Sequence, residues 1–144
     1  MRLSTLTASA MLLMALTIVS CKRRELQSFP MITSNLVSDV KSKTGTDLPK
    51  SCRLIVNTNY SRLNSDVWLF AIDPSNRPQF PGEMDPMPQG DGRKAASVME
   101  DMGGISIGVP KALYFGIWQV SNAQCHATLL TTSNSDYLML ERLY

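Results

Sequence analysis

The chain changes character at one point. An apolar run ending in Ile18-Val19 gives way to Ser20 and Cys21, and then to Lys22-Arg23-Arg24-Glu25. Upstream, one cation (Arg2), a polar spacer to Ser9 and an apolar core from Ala10 to Val19 follow the order of a secretory signal. That core is too short to span roughly 30 Å of hydrocarbon, which takes about 20 helical residues. Residues 1–20 therefore read as an export signal and not a membrane helix, and whatever folds lies in residues 21–144.

Ile18-Val19-Ser20-Cys21 resembles a bacterial lipobox: two branched apolar residues, a small residue, then cysteine. The resemblance covers residues 1–21. It implies acylation of the Cys21 sulfur with diacylglyceryl and cleavage in front of it. With Lys22 in place of Asp after the cysteine, it also implies sorting to the outer membrane of a Gram-negative cell. Two or three acyl chains at about 0.8 kcal/mol per buried methylene anchor a protein stably, and Lys22-Arg23-Arg24 adds contact with anionic head groups. An ordinary cleaved signal is the alternative, but it leaves three cysteines, an odd number, in an oxidising compartment. With Cys21 acylated, as the resemblance implies, Cys52 and Cys125 remain as a pair and one disulfide is expected.

Cleavage removes Arg2, so 13 of the 14 basic residues face 12 acidic ones. Because three of those cations sit beside the anchor, the rest of the chain is slightly acidic, which argues against binding nucleic acid by phosphate neutralisation. The length suits a single α+β domain at 34–144, carried on a lipidated tether at 21–33 whose Ser28 and Pro30 break any periodicity.

Within the domain, Ser34 offers an N-cap to a helix over 35–43, with Leu36, Val37 and Val40 on one face and Gly45 past its end. Residues 52–58 alternate as a strand, and 67–72 are apolar throughout, as in a strand covered on both faces. The Asn- and Ser-rich stretch between them makes a hairpin. A second helix is expected over 93–102, closed by Gly103-Gly104, followed by strands at 112–120, 125–132 and 137–143 joined by short turns into an antiparallel meander. The expected fold is α+β, with a mainly antiparallel sheet of about five strands, two short helices and the disulfide. Over residues 35–73 the helix, the turn Gly45-x-x-Leu48-Pro49 and the strand pair resemble many small envelope lipoproteins. That likeness implies no activity.

Catalytic chemistry is sparse, and the chain does not read as an enzyme. The single histidine, His126, has no Gly-x-Ser-x-Gly elbow to serve and reads as a strand residue pointing away from Cys125. Glu83, Asp85, Asp91, Glu100 and Asp101 offer carboxylate pairs in polar surroundings, where solvation is the ordinary role. Gly90-Asp91-Gly92 lacks the strand that a phosphate loop requires. Met84-x-x-Met87 and Met99-x-x-Met102 have the softness for Cu(I), but Met99 and Met102 also sit at the spacing of a helix core. No cofactor or metal is assigned.

What remains is binding. Residues 74–92 form a long connection holding five of the eight prolines, and ordered loops of that length are often functional. Phe80 is the expected anchor for a partner, with Glu83, Asp85 and Asp91 as an acidic rim suited to a basic protein. The exposed face of the last three strands is the other place for such a surface. The expected role is a membrane-anchored protein-binding module: an inhibitor of a periplasmic hydrolase, or an immunity protein against an injected effector. The alternative is an accessory lipoprotein of an envelope-spanning assembly.

Overall fold

A computed structural model describes residues 23–144. The expected signal, Cys21 and Lys22 lie outside the described residues. The described residues form two α-helices, α1 (Ser34–Thr44) and α2 (Gln89–Gly103), and six strands: β1 (Arg53–Tyr60), β2 (Ser65–Ile72), β3 (Asp85–Pro86), β4 (Ala112–Val120), β5 (Ala123–Thr131) and β6 (Asp136–Leu143). The strands make one antiparallel sheet in the order β1-β2-β6-β5-β4-β3. The fold is thus α+β, with the hairpin and the meander joined through β2 and β6. Among the described residues no helix is long and apolar enough to cross a membrane.

Period-two alternation sorts the strands' side chains onto two faces. On one face Trp68, Phe70, Leu138, Leu140, Ala127, Leu129 and Trp118 pack beneath α1 and Leu48. On the other, Leu69, Ala71, Tyr137, Leu130 and Leu113 pack beneath Ala96 and Met99 of α2, with Ile105 and Ile107 beside them. From Val67 to Ile72 every residue of β2 is buried, because each face of that strand meets a layer. Burying each large apolar side chain contributes about 1.5–3 kcal/mol, so the two layers hold the sheet from both sides.

Helix α1 starts one residue earlier than its pattern suggests. Its cap is Thr33, whose hydroxyl accepts the Leu36 N–H, and its end is set by Gly45 at φ 73°, a left-handed conformation that costs a β-carbon. Helix α2 begins four residues before the expected 93, directly after Pro88, with Asp91 in its first turn where a carboxylate favours the dipole.

The sixth strand, β3, is the element the sequence concealed. It is two residues long and contains Pro86, which is tolerable only at a sheet edge. Its pairing of Asp85 with Phe115 and Pro86 with Tyr114 lays the proline-rich connection along β4. Gly116 makes this possible: a β-carbon there would stand 2.7 Å from the Glu83 carbonyl oxygen and 2.6 Å from the Met84 sulfur. The connection thereby covers an edge that would otherwise present unpaired backbone.

Two expectations are corrected. Cys52 and Cys125 form no disulfide; both are free and fully buried. Three interstrand steps of about 4.8 Å separate the neighbourhoods of β1 and β5, whereas a disulfide needs α-carbons within about 7 Å. The two are also displaced along the strands: Cys125 stands level with Arg142 and, through Asp66, with Asn59, at the far end of β1 from Cys52. The second correction concerns the tether. Phe29 is 2% exposed within the α2-side core, and the Arg24 and Ile32 amides donate to the Gly104 and Cys52 carbonyls at 2.9 and 3.0 Å. Residues 23–33 are strapped to the domain, because an aromatic side chain in the strap fills a core position.

Candidate functional site: the open half of the sheet

Helix α2 crosses its face of the sheet obliquely. A β-carbon at Gly92 near its start would touch Pro110, and one at Gly103 at its end would press on Ile55 and Leu69. The row Leu113-Leu130-Tyr137 lies under the helix. Beyond it, on the same face, run two rows that the helix leaves open on β4 and β5, reaching only the Met139–Leu69 end of the first. One is Phe115-Thr128-Met139 and the other Ile117-His126-Glu141. Phe115, Thr128, His126, Met139 and Glu141 are half-buried, and Ile117 is 50% exposed. Val98 of α2, also about half exposed, overlooks solvent from the helix.

The chemistry of this surface is apolar with acidic punctuation. Asp85, paired with Phe115 across β3 and β4, shares its side of the sheet and stands at the rim. Glu141 lies at the centre, its Oε2 3.9 Å from His126 Nδ1. Both rows, extended through Leu69 and Val67 to Val56 and Thr58, contain no Lys or Arg. The His126 ring meets Phe115 edge-on, with centroids 5.7 Å apart, and its Nε2 is buried without a hydrogen-bond partner in the protein. His126 and Cys125, neighbours in β5, point to opposite faces, as strand alternation requires. Among the described residues no three or more His, Cys, Asp or Glu side chains gather in a group that could hold a metal ion.

The residues expected on the 74–92 connection do not converge. Phe80 is half-buried against the α1-side core, its ring 6.0 Å from Trp118, so it braces the loop and is not offered to solvent. Glu83 is exposed beside the β4 edge. Asp91 belongs to the first turn of α2 and faces Lys94 at 3.9 Å. Of the four, Asp85 alone joins the open rows. The methionine pairs part as well: Met84 packs on the α1 side of the sheet, while Met99 and Met102 pack on the α2 side. Sequence reading missed Phe115 and Ile117 because alternation shows which residues share a face without showing how much of that face a helix covers. Neither burial nor charge prepares a nucleophile here: burial pushes the Cys52 thiol up to about 12 and raises that of Cys125 against the pull of Arg142, leaving both inert at neutral pH.

No family model, curated protein or solved structure matches the chain.

Proposed function

We propose that this chain is a lipid-anchored, protein-binding module of the bacterial envelope, acting as an inhibitor or immunity protein that docks a basic partner through the open half of its sheet. The observation that supports this reading is the open part of two rows on β4 and β5, with Ile117 exposed and Phe115 half-exposed beside Asp85 and Glu141 and no cation among them. Aromatic and branched side chains supply desolvated contact at an interface centre. Carboxylates such as Asp85 at the rim and Glu141 further in speed the encounter with a cationic partner. The Cys21 anchor and its outer-membrane address come from the lipobox resemblance.

Capture from detergent-solubilised membranes tests the reading, using wild type, Ile117→Asp and Glu141→Lys with Ser97→Lys on the outer face of α2 as the control. The expected outcome is a basic hydrolase or toxin retained by wild type and Ser97→Lys, lost with Ile117→Asp and weakened in a salt-dependent way with Glu141→Lys. Retention by all four proteins removes the sheet face from consideration. Recovery of envelope machinery in place of a hydrolase or toxin favours an accessory role in an assembly.

A further inference from the structure

The residues next to the expected anchor are tied to the domain. The Arg23 guanidinium pairs with Glu100 Oε2 and donates to the Ile105 carbonyl at 3.1 Å. Glu100 lies on α2 with its side chain only 8% exposed, and its other carboxylate oxygen is 3.5 Å from Arg93. The Arg24 amide bonds to Gly104, and the Arg24 guanidinium lies 4.2 Å over the Phe29 ring. Further along, Leu54 donates to the Pro30 carbonyl at 3.0 Å and Arg53 to the Phe29 carbonyl at 2.8 Å. A buried carboxylate that loses a cation partner is costly, and Phe29 would have to leave the core for the strap to lift.

Chain length turns this into geometry. A free tether over 21–33 would let the domain stand off by roughly 40 Å, at about 3.3 Å per extended residue. Attached as it is at Arg23, only Lys22 separates the domain from Cys21, and two residues reach at most about 7 Å. We infer that the domain rides directly on the lipid head groups in one orientation. In that orientation the side of α2 that carries Arg23, Arg24 and Arg93 faces an anionic membrane surface, and the open rows of the sheet face away from it. The inference rests on acylation of Cys21.

The cations support the lipid as occupant. Arg24 is exposed, and the side chains of Arg23 and Arg93 remain 48% and 67% exposed while sharing one carboxylate. Lys22 precedes them in the sequence, and cations close to an anchor strengthen attraction to an anionic leaflet. The strap enters on the Tyr137 side of α2, through Ile105, Phe29 and Arg53. Phe115 and Ile117 lie across the helix from it.

The test uses the full-length acylated protein, purified from membranes and reconstituted into vesicles of phosphatidylcholine and phosphatidylglycerol carrying head-group spin-labelled lipid. A fluorophore is placed at Ser106→Cys, next to Ile105, or at Gln119→Cys, at the far end of β4. Both native thiols of the domain are fully buried and stay unlabelled. The expected result is several-fold stronger quenching at position 106 than at 119, with the contrast reduced when Arg23→Gln loosens the strap. Equal, weak quenching at both positions in a protein whose mass shows diacylglyceryl on Cys21 overturns the docked orientation and leaves the anchor standing. A mass without diacylglyceryl overturns the anchor itself, and the orientation with it.

Discussion

Trp118 donates its indole N–H to the main-chain carbonyl of Thr44 at 2.6 Å, joining the last residue of α1 to β4. The helix's terminal carbonyls have no partners within the helix. Here they are taken by the sheet: Trp118 bonds Thr44, and the Arg142 guanidinium bonds the Lys43 carbonyl at 3.0 Å, where a cation also favours the helix dipole. Trp118→Phe keeps most of the apolar contact and leaves the buried Thr44 carbonyl unsatisfied. A loss of about 1–3 kcal/mol is expected, read as a lower midpoint in urea with an unchanged slope.

Cysteine chemistry gives a second expectation. Unfolding the full-length protein in guanidinium without reductant should release two titratable thiols from the domain, Cys52 and Cys125, and reductant should not change its mobility on a gel. Finding the two thiols oxidised to each other would contradict the sheet order, since β2 and β6 lie between the strands concerned.

The same burial makes stability depend on pH at the alkaline end. The Cys52 thiol is pushed from 9.0 up to about 12 by desolvation, so its folded value lies above its unfolded one. Its contribution is therefore complete below about pH 9 and is lost as pH rises through 12, because the unfolded chain releases the proton first. Three pH units correspond to at most about 4 kcal/mol. Cys52→Ala should start less stable at pH 7, from the cavity it leaves, yet lose less between pH 9 and 12 than wild type in parallel denaturant titrations.

Gly116→Ala should separate the roles of the proline-rich connection. The new methyl would meet the Glu83 carbonyl oxygen at 2.7 Å, so the backbone of the connection must move off β4. A cost of about 1–3 kcal/mol is expected, with faster amide exchange around residues 85 and 114–118 and greater aggregation from the uncovered edge. If exchange there is unaltered, the connection is not what protects that edge.

Local pattern and turn chemistry determined much of this protein. Alternation, apolar runs and the residues Gly45, Pro74 and Gly104 were enough to give two helices, the hairpin and the meander, since each signal is carried by neighbours in the chain. β3 escaped because two residues with a proline bear no period; it exists only because β4 has an edge to cover and Gly116 lets the backbone approach. The cysteine pairing failed for the complementary reason. Counting thiols says nothing of distance, and the β2–β6 pairing that carries β5 away from β1 is a long-range event. Phe80 and Phe29 show the same division. Both look like free aromatics in polar stretches, yet Phe80 packs on Trp118 and Phe29 fills the core beneath the strap. The residue pattern around Cys21 shows where apolar character gives way to charge, but only packing could decide that residues 23–33 are strapped to the domain and that part of a sheet face lies open. Both outcomes depend on where one oblique helix lies across the sheet, and no local signal encodes that.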